Sequence, residues 1–283
     1  MIIVADSGAT KTDWRVLNNN GETVAGFETI GLSPYFNQKE DYMSALSENF
    51  PHTLNPMEIR KVFFYGSGCG TFERGNDVEL YLGGFFKNAQ IEAVSDALGA
   101  ARALFGKSSG IVAILGTGSN IAYYDGKQLI SKTPSLGFIL GDEGSGAYIG
   151  RLFLRAFLYH NLDSNLEAKL KKAYDVELTN ILNRVYSGAR PSAYLASFVP
   201  FVLENIENPM ISAIVREAFV ALYKNHLSAY DNLNDLDIRV TGSVGCLFSD
   251  ILNNVAKEYG FTVTKYLRYP IEELVKYHSK ENS

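Results

Sequence analysis

The opening run Ile2-Ile3-Val4-Ala5-Asp6-Ser7-Gly8-Ala9-Thr10-Lys11-Thr12-Asp13-Trp14 constrains this chain more than any other stretch. Its four leading apolar residues, bounded by a polar cluster, read as a short buried strand. The next turn gathers an acid, a glycine, hydroxyls and a lysine. Asp13-Trp14-Arg15-Val16-Leu17 then alternates like a returning strand, and Asn18-Asn19-Asn20-Gly21 supplies the following tight turn. Such a hairpin suits a polyphosphate and its metal. Backbone N–H groups of a Gly-containing turn form an anion nest, hydroxyls add donors, and a carboxylate orients a hydrated Mg²⁺. A plain polar hairpin loop fits the same residues.

The pattern recurs. At Ile111-Val112-Ala113-Ile114-Leu115-Gly116-Thr117-Gly118-Ser119-Asn120 a buried strand again meets a Gly/Thr/Ser turn, and Ile121-Ala122-Tyr123-Tyr124 returns before Asp125-Gly126. Two halves opening alike imply an internal duplication, and 283 residues have room for two domains. Between the hairpins, strands are expected at 23–27, 61–65 and 91–94. Asn37 either caps a helix running to Phe50 or contacts a ligand, and a helix with an awkward Gly83-Gly84 follows Gly66-Ser67-Gly68-Cys69-Gly70. Asp96 ends a strand just before a helix, where open α/β sheets bind ligands, and the same place suits a helix N-cap. Gly106-Lys107-Ser108 imitates the tail of a P-loop but lacks its first glycine and follows a helix.

In the second half, Gly141-Asp142-Glu143-Gly144-Ser145-Gly146 places two acids at the positive end of an amphipathic helix reaching about His160. Residues 161–236 read as largely helical, with turns near Asp163-Ser164, Ser187-Gly188 and Asn208-Pro209. His160, His226 and His278 have no ligand-like spacing and read as structural or solvated. Ile238-Arg239-Val240-Thr241-Gly242-Ser243-Val244-Gly245 is a strand entering a Gly/Ser turn that fits close approach to a flat ligand such as a nucleoside, ahead of a helix through Tyr259. A last strand is expected at 261–265 and a terminal helix from Pro270.

A net charge of −5 argues against a general nucleic-acid binder. Two cysteines, Cys69 and Cys246, are too few for a disulfide framework or a cysteine-only metal site. With no basic leader and no bilayer-length apolar run, the expectation is a cytoplasmic protein without membrane contact.

Taken together, the Asp6–Thr12 hairpin, Gly116-Thr117-Gly118-Ser119 and Gly242-Ser243-Val244-Gly245 resemble the sugar-kinase, actin and heat-shock-chaperone ATPase superfamily. The Leu-Gly-Thr-Gly-Ser-Asn and Gly-Asp-Glu-Gly-Ser-Gly strings are similar to its N-acetylglucosamine kinase and BadF/BadG-type branch. The resemblance covers nearly the whole chain. It implies an α/β fold of two actin-like (ribonuclease H-like) lobes with a central ATP cleft: residues 1–107 with 270–283 returning to them, and 108–269 carrying a helical insertion at 161–236. By position, Asp6 would hold Mg²⁺ through water, and Gly8, Thr10 and Lys11 would meet the β/γ phosphates. Gly116, Thr117 and Gly118 would join them from the second hairpin, while Gly242, Ser243 and Gly245 would line the adenosine site. Asp96 matches the family's catalytic acid. Asn37, Asp96, Thr117, Leu136, Gly137 and Asp142 match sugar contacts. One departure stands out, because this kinase type often reads Gly-Gly-Trp-Gly where this chain has Pro134-Ser135-Leu136-Gly137, so a leucine replaces a tryptophan on the sugar wall.

The implied activity is ATP-dependent phosphorylation of an amino sugar, most simply N-acetylglucosamine, by a homodimer. The alternatives are a BadF-type ATPase activator, which needs cysteines for a shared iron–sulfur cluster, and a non-catalytic nucleotide or sugar sensor. Of the two cleft acids, Asp96 is expected to be the base and Asp142 to grip a sugar hydroxyl. Both sit at transitions into helices, where backbone N–H groups are expected to keep them ionised.

Overall fold

The computed structural model of the chain describes residues 1–8 and 11–279. Thr10, expected among the phosphate contacts, and residues 280–283 of the expected terminal helix lie outside the described residues. The chain forms two compact units. Unit 1 takes Met1–Ser108, Gly126–Leu129 and the chain from Tyr269 onward; unit 2 takes Ser109–Asp125 and Ile130–Arg268.

Unit 1 opens with β1 (Ile2–Ser7), β2 (Lys11–Leu17) and β3 (Thr23–Ile30) as an antiparallel meander. α1 (Lys39–Asn49) leads to β4 (Lys61–Gly66), α2 (Phe72–Phe85) to β5 (Gln90–Ser95), and α3 (Asp96–Phe105) follows. The crossovers make β1, β4 and β5 parallel, giving the sheet order β3-β2-β1-β4-β5. β1 lies at the centre of this sheet, which explains why its apolar run does not alternate: Ile3, Val4 and Ala5 are all buried. Trp14, the single tryptophan, is fully buried, stacks on Phe27 at 5.4 Å and donates its indole N–H to Thr29 Oγ1 at 3.0 Å.

Unit 2 repeats the plan. β6 (Gly110–Leu115) and β7 (Ser119–Tyr124) pair antiparallel, and β8 (Leu129–Ile130) adds to the same edge. Then come α4 (Gly137–Leu140), α5 (Gly146–Leu158), α6 (Ser164–Ala173), α7 (Leu178–Tyr186), α8 (Pro191–Ala196), α9 (Val199–Glu204) and α10 (Pro209–Asn225). β9 (Ile238–Thr241), α11 (Ser243–Leu247), α12 (Ser249–Tyr259) and β10 (Val263–Leu267) complete the unit. The sheet order β10-β9-β6-β7-β8 is that of unit 1 in mirror listing: each unit's first strand sits centrally, between its hairpin partner and its parallel strands. This is the α/β, actin-like architecture, duplicated.

Local chemistry accounts for most boundaries. Asp163 caps α6 by accepting from Leu166 N at 2.9 Å, and Asn208 caps α10 ahead of Pro209 at its first position. Gly106, at φ 62°, ends α3, so Gly-Lys-Ser there is a helix stop. The expected helix carrying Gly83-Gly84 is α2, which runs through both glycines. Two expectations need correction. The helix expected through Tyr259 breaks at Phe248 into α11 and α12. Asn37 is not the cap of α1; Gln38 is, in a reciprocal capping box with Asp41.

The chain ends in unit 1, where α13 (Ile271–Ser279) packs beside α3 and across β1 and β2. Arg15 Nε meets Glu272 at 2.9 Å. His278 is buried; its ring stacks on Phe63 at 3.7 Å and its Nε2 accepts from Tyr65 Oη at 2.7 Å. Tyr65 Oη in turn accepts from Arg102, which pairs with Glu92, both at 2.8 Å. Burial first, then the charges of Arg102 and Lys61, push the His278 pKa down to about 3, so the ring is neutral. It is a structural histidine.

Candidate active site

In unit 1 the first hairpin sets acids side by side. Strand register puts Asp6 on β1 directly opposite Asp13 on β2, and Asp96, first residue of α3, acts on Asp6 as well. Asp6 is half-buried, and no described residue donates a hydrogen bond to it. Desolvation, then the like charges of Asp96 and Asp13, outweigh the opposing Lys11 and raise the Asp6 pKa to about 7. A carboxylate so placed gains most from a cation. The described residues hold no cluster of three or more metal-ligating side chains, so the donor set fits a hydrated Mg²⁺ touched through water by one carboxylate and does not fit a protein-caged ion.

Two of the hairpin's hydroxyls, those of Ser7 and Thr12, turn inward and are satisfied within the unit. Ser7 and Thr12 are buried and bonded to each other at 2.7 Å, and Ser7 Oγ donates to Leu32 O at 2.8 Å while accepting from Leu32 N at 3.0 Å. They tie β1 to the loop that carries Asn37. There, Asn37 Oδ1 accepts from Ser33 N at 3.0 Å, closing the turn, and its Nδ2 donates to no described residue. Lys11 is held by Asp13 at 3.0 Å and Glu28 at 2.8 Å. Such exposed pairs contribute about 0–1 kcal/mol, so they compete weakly with a phosphate. Gly8 turns its N–H to Lys11 O at 3.0 Å.

Asp96 follows Ser95, and Ser95 is the helix cap, its Oγ accepting from Leu98 N at 3.2 Å. That relieves Asp96 of capping. Its Oδ1 accepts from Ala97 N at 2.9 Å. Burial nonetheless wins over this bond and raises its pKa. Asp142 behaves alike: burial raises its pKa against the Ser119 N–H that donates to it. The direction is opposite to the one expected from helix N-termini alone, because desolvation exceeds the N–H contribution at both sites.

In unit 2 the second hairpin and the Gly-Asp-Glu-Gly turn are built against each other. Gly146 N donates to Gly116 O at 2.8 Å and Ala147 N to Thr117 O at 3.0 Å. A Cβ on Gly118 would stand 2.9 Å from Asp142 Oδ2, so a side chain there would push the Asp142 carboxylate aside; at Gly116 nothing lies within 4 Å of where a Cβ would be. Thr117 is exposed. Asp142 itself has left-handed backbone, φ 56°, a conformation costing a non-glycine residue about 1–3 kcal/mol and held only where its surroundings fix it. Leu136 is exposed and immediately precedes α4, whose carbonyls at Phe138 and Ile139 accept from Arg151 Nη1 at 2.9 and 2.8 Å. Gly137 opens α4 at φ 71°.

Gly242, at φ 105°, lies so close to Leu115 O that any Cβ would collide, and one on Gly245 would strike Val240. These glycines are dictated by packing between the β6 and β9 ends, whatever else the turn binds. Ser243 begins α11 behind Gly242. The turn and the second hairpin are thus adjacent within unit 2.

Sequence reasoning passed over one cluster. Glu143 is buried, its Oε1 accepting from Asn225 Nδ2 at 2.7 Å and its Oε2 from His226 Nε2 at 3.0 Å, while His226 Nδ1 meets Thr133 Oγ1 at 2.7 Å. Burial alone would raise the Glu143 pKa, but the bonds from His226, its own N–H and Asn225 hold it below the usual value. Asn225 and His226 lie more than eighty residues from Glu143, so no local spacing announces them.

This pairing of duplicated sheets, each with a Gly/Thr hairpin at its central strand, defines the actin-like ATPase fold. The fold matches, over 100% of both chains at TM-score 0.93 and 34% identity, a provisionally named N-acetylglucosamine kinase from Porphyromonas gingivalis. A second protein so named, from Chromobacterium violaceum, matches over 98% of each chain at TM-score 0.72 and 20% identity. A ROK family glucokinase from Streptomyces griseus, in complex with glucose and AMPPNP, matches over 98% of this chain and 97% of its own at TM-score 0.56 and 14% identity. These last two likenesses speak to the fold. No protein-family model and no curated protein matches the chain. The chain belongs to the N-acetylglucosamine kinase and BadF-type ATPase family of the sugar-kinase, actin and chaperone ATPase superfamily.

Proposed function

We propose that the chain is a sugar kinase that transfers the γ-phosphoryl group of ATP to a hydroxyl of an amino sugar, with N-acetylglucosamine the first candidate. The observation that carries the reading is the placement of Asp96. It is a half-buried carboxylate at the end of a parallel strand, freed from capping by Ser95 and raised in pKa by burial. A raised pKa makes it a better proton acceptor than an ordinary aspartate. Phosphoryl transfer asks little covalent chemistry of a protein; it asks for positioning, charge neutralisation and a proton acceptor.

The roles divide between the units. Asp96 accepts the proton of the sugar hydroxyl. Asp6 would hold Mg²⁺ through water, and the ion would supply positive charge to offset that of the ATP phosphates. Gly8, Thr10 and Lys11 bind those phosphates, as do the open backbone at Gly116 and the exposed Thr117 with Gly118. Gly242, Ser243 and Gly245 line the adenosine. Asn37 offers its Nδ2, and Asp142 its carboxylate, to sugar hydroxyls beside Leu136 and Gly137. The BadF-type activator role lacks its ligands: Cys69 is buried, with its pKa pushed up to about 12 by burial and by Asp96, and Cys246 is raised by burial too. No helix among the described residues is long and apolar enough to cross a membrane.

The test is ADP release with Mg²⁺ and ATP across glucosamine, N-acetylglucosamine, N-acetylmuramic acid, N-acetylmannosamine and glucose. Turnover with an N-acetylated amino sugar supports the reading. Tight sugar binding without turnover would make the chain a sensor, and turnover with glucose alone would move the substrate class.

A further inference from the structure

The His226 ring joins two segments that are not neighbours in sequence. Its Nε2 donates to Glu143 Oε2 at 3.0 Å, inside the Gly-Asp-Glu-Gly turn, and its Nδ1 meets Thr133 Oγ1 at 2.7 Å, three residues before Leu136. In the Nε2–H tautomer, Nε2 donates to the carboxylate and Nδ1 accepts from the Thr133 hydroxyl. His226 also lines, with Asp142, Leu136, Thr133, Ser119 and Asn120, a cavity of about 10 Å³, room for roughly one water. Between the two segments runs only α4, four residues long. The ring is therefore a strut across the base of the loop that carries Leu136, Gly137 and Asp142.

We propose that His226 is a positioning residue for the sugar, setting the Asp142 carboxylate and the Leu136–Gly137 wall at a fixed separation by holding Glu143 and Thr133 on its two ring nitrogens. The proposal rests on the sugar-kinase reading and adds a specificity element to it. Two further features fit such a strut. Asp142 keeps a left-handed backbone while its carboxylate accepts from the Ser119 N–H and its carbonyl from Ser145 N at 3.0 Å, and the next residue along, Glu143, is the one that Asn225 and His226 hold. The wall, for its part, has no core contact of its own at Leu136, which is 54% exposed. Because Glu143 keeps its Asn225 bond when His226 is removed, the variant retains a partner for its buried carboxylate and is expected to fold.

The experiment is steady-state kinetics of His226→Ala, His226→Gln and Thr133→Val, with N-acetylglucosamine or the panel sugar turned over best, at saturating Mg²⁺. His226→Ala should raise the sugar KM by about 10- to 100-fold, the scale of an ångström-level misplacement, with the KM for ATP unchanged and kcat within about threefold. His226→Gln, whose amide still donates to Glu143, should recover most of the loss. Thr133→Val should raise the sugar KM less, and adding it to His226→Ala should cost nothing more. An unchanged sugar KM in His226→Ala would overturn the proposal. So would an equal rise in both KM values with a lowered melting temperature, the mark of a merely structural residue. If the wild type binds N-acetylglucosamine without turnover, the same comparison is made on calorimetric Kd, and the proposal stands or falls there while the kinase reading alone fails. If no panel sugar binds, both fail.

Discussion

Asp6 shows how a single side chain carries a cost in the free protein that function requires. Its pKa is raised to about 7 by burial, Asp96 and Asp13. Between 3.8 and about 7 the folded state therefore binds more protons than the unfolded one, and stability falls as pH rises through that window. Asp6→Asn removes the buried charge at constant size. The variant should melt higher than wild type at pH 8 without metal, by differential scanning calorimetry, while turnover falls by about 10²-fold or more. In the wild type, protons compete with the cation, so the apparent Mg²⁺ requirement should rise as pH drops below about 7. Asp96 and Asp142 separate by kinetics. Asp96→Asn should lower kcat by about 10²–10⁴, the range for loss of a general base, with the sugar KM moving less, and Asp142→Asn should act mainly on KM. Because burial raises the Asp96 pKa, the acid limb of kcat/KM should lie above the ordinary aspartate value of 3.8. Measuring both constants for both variants decides, and the reverse pattern would exchange the two roles.

At the scale of elements, α13 depends on a titratable group. With its pKa near 3, His278 takes up its proton in the unfolded chain but not in the folded one between about 6.5 and 3. Its contribution is complete above about 6.5 and is lost as pH falls through that window. Denaturant unfolding at pH 7 and pH 5 should show this loss, and His278→Gln should flatten the dependence; an unchanged slope would remove the histidine from the account. The hairpins, the parallel strands after them and the cap at Asn208-Pro209 were legible in sequence because each follows from local chemistry: an apolar run, a glycine turn, a proline at a first helical position. What was not legible depends on distance. Ser95 and not Asp96 caps α3, and Gln38 and not Asn37 caps α1, because neighbouring polar residues compete for one cap and only the backbone path selects the winner. The inward turn of Ser7 and Thr12 is set by Leu32, twenty or more residues away. Glu143–His226–Thr133 joins positions some ninety residues apart with no motif.

For the whole molecule, the residues given the proposed roles come from both halves of the chain. Asp96, the proposed base, and Asp6, proposed to orient the metal, lie in unit 1; Asp142, Thr117 and the turn at Gly242 lie in unit 2. Catalysis divided in this way should show up as dependence of one substrate's turnover on the other. ATP bound alone offers its γ-phosphoryl group only to water, so ATP hydrolysis without sugar should run at a small fraction of the sugar-stimulated rate. Asp142→Asn, by loosening the sugar, should abolish stimulation at moderate sugar concentration and change the basal rate less. Asp6→Asn should depress both rates together. ADP release measured with and without sugar for the three proteins gives the answer in one assay. A basal rate equal to the stimulated one would mean that the sugar does not complete the site and that the chain works as an ATPase.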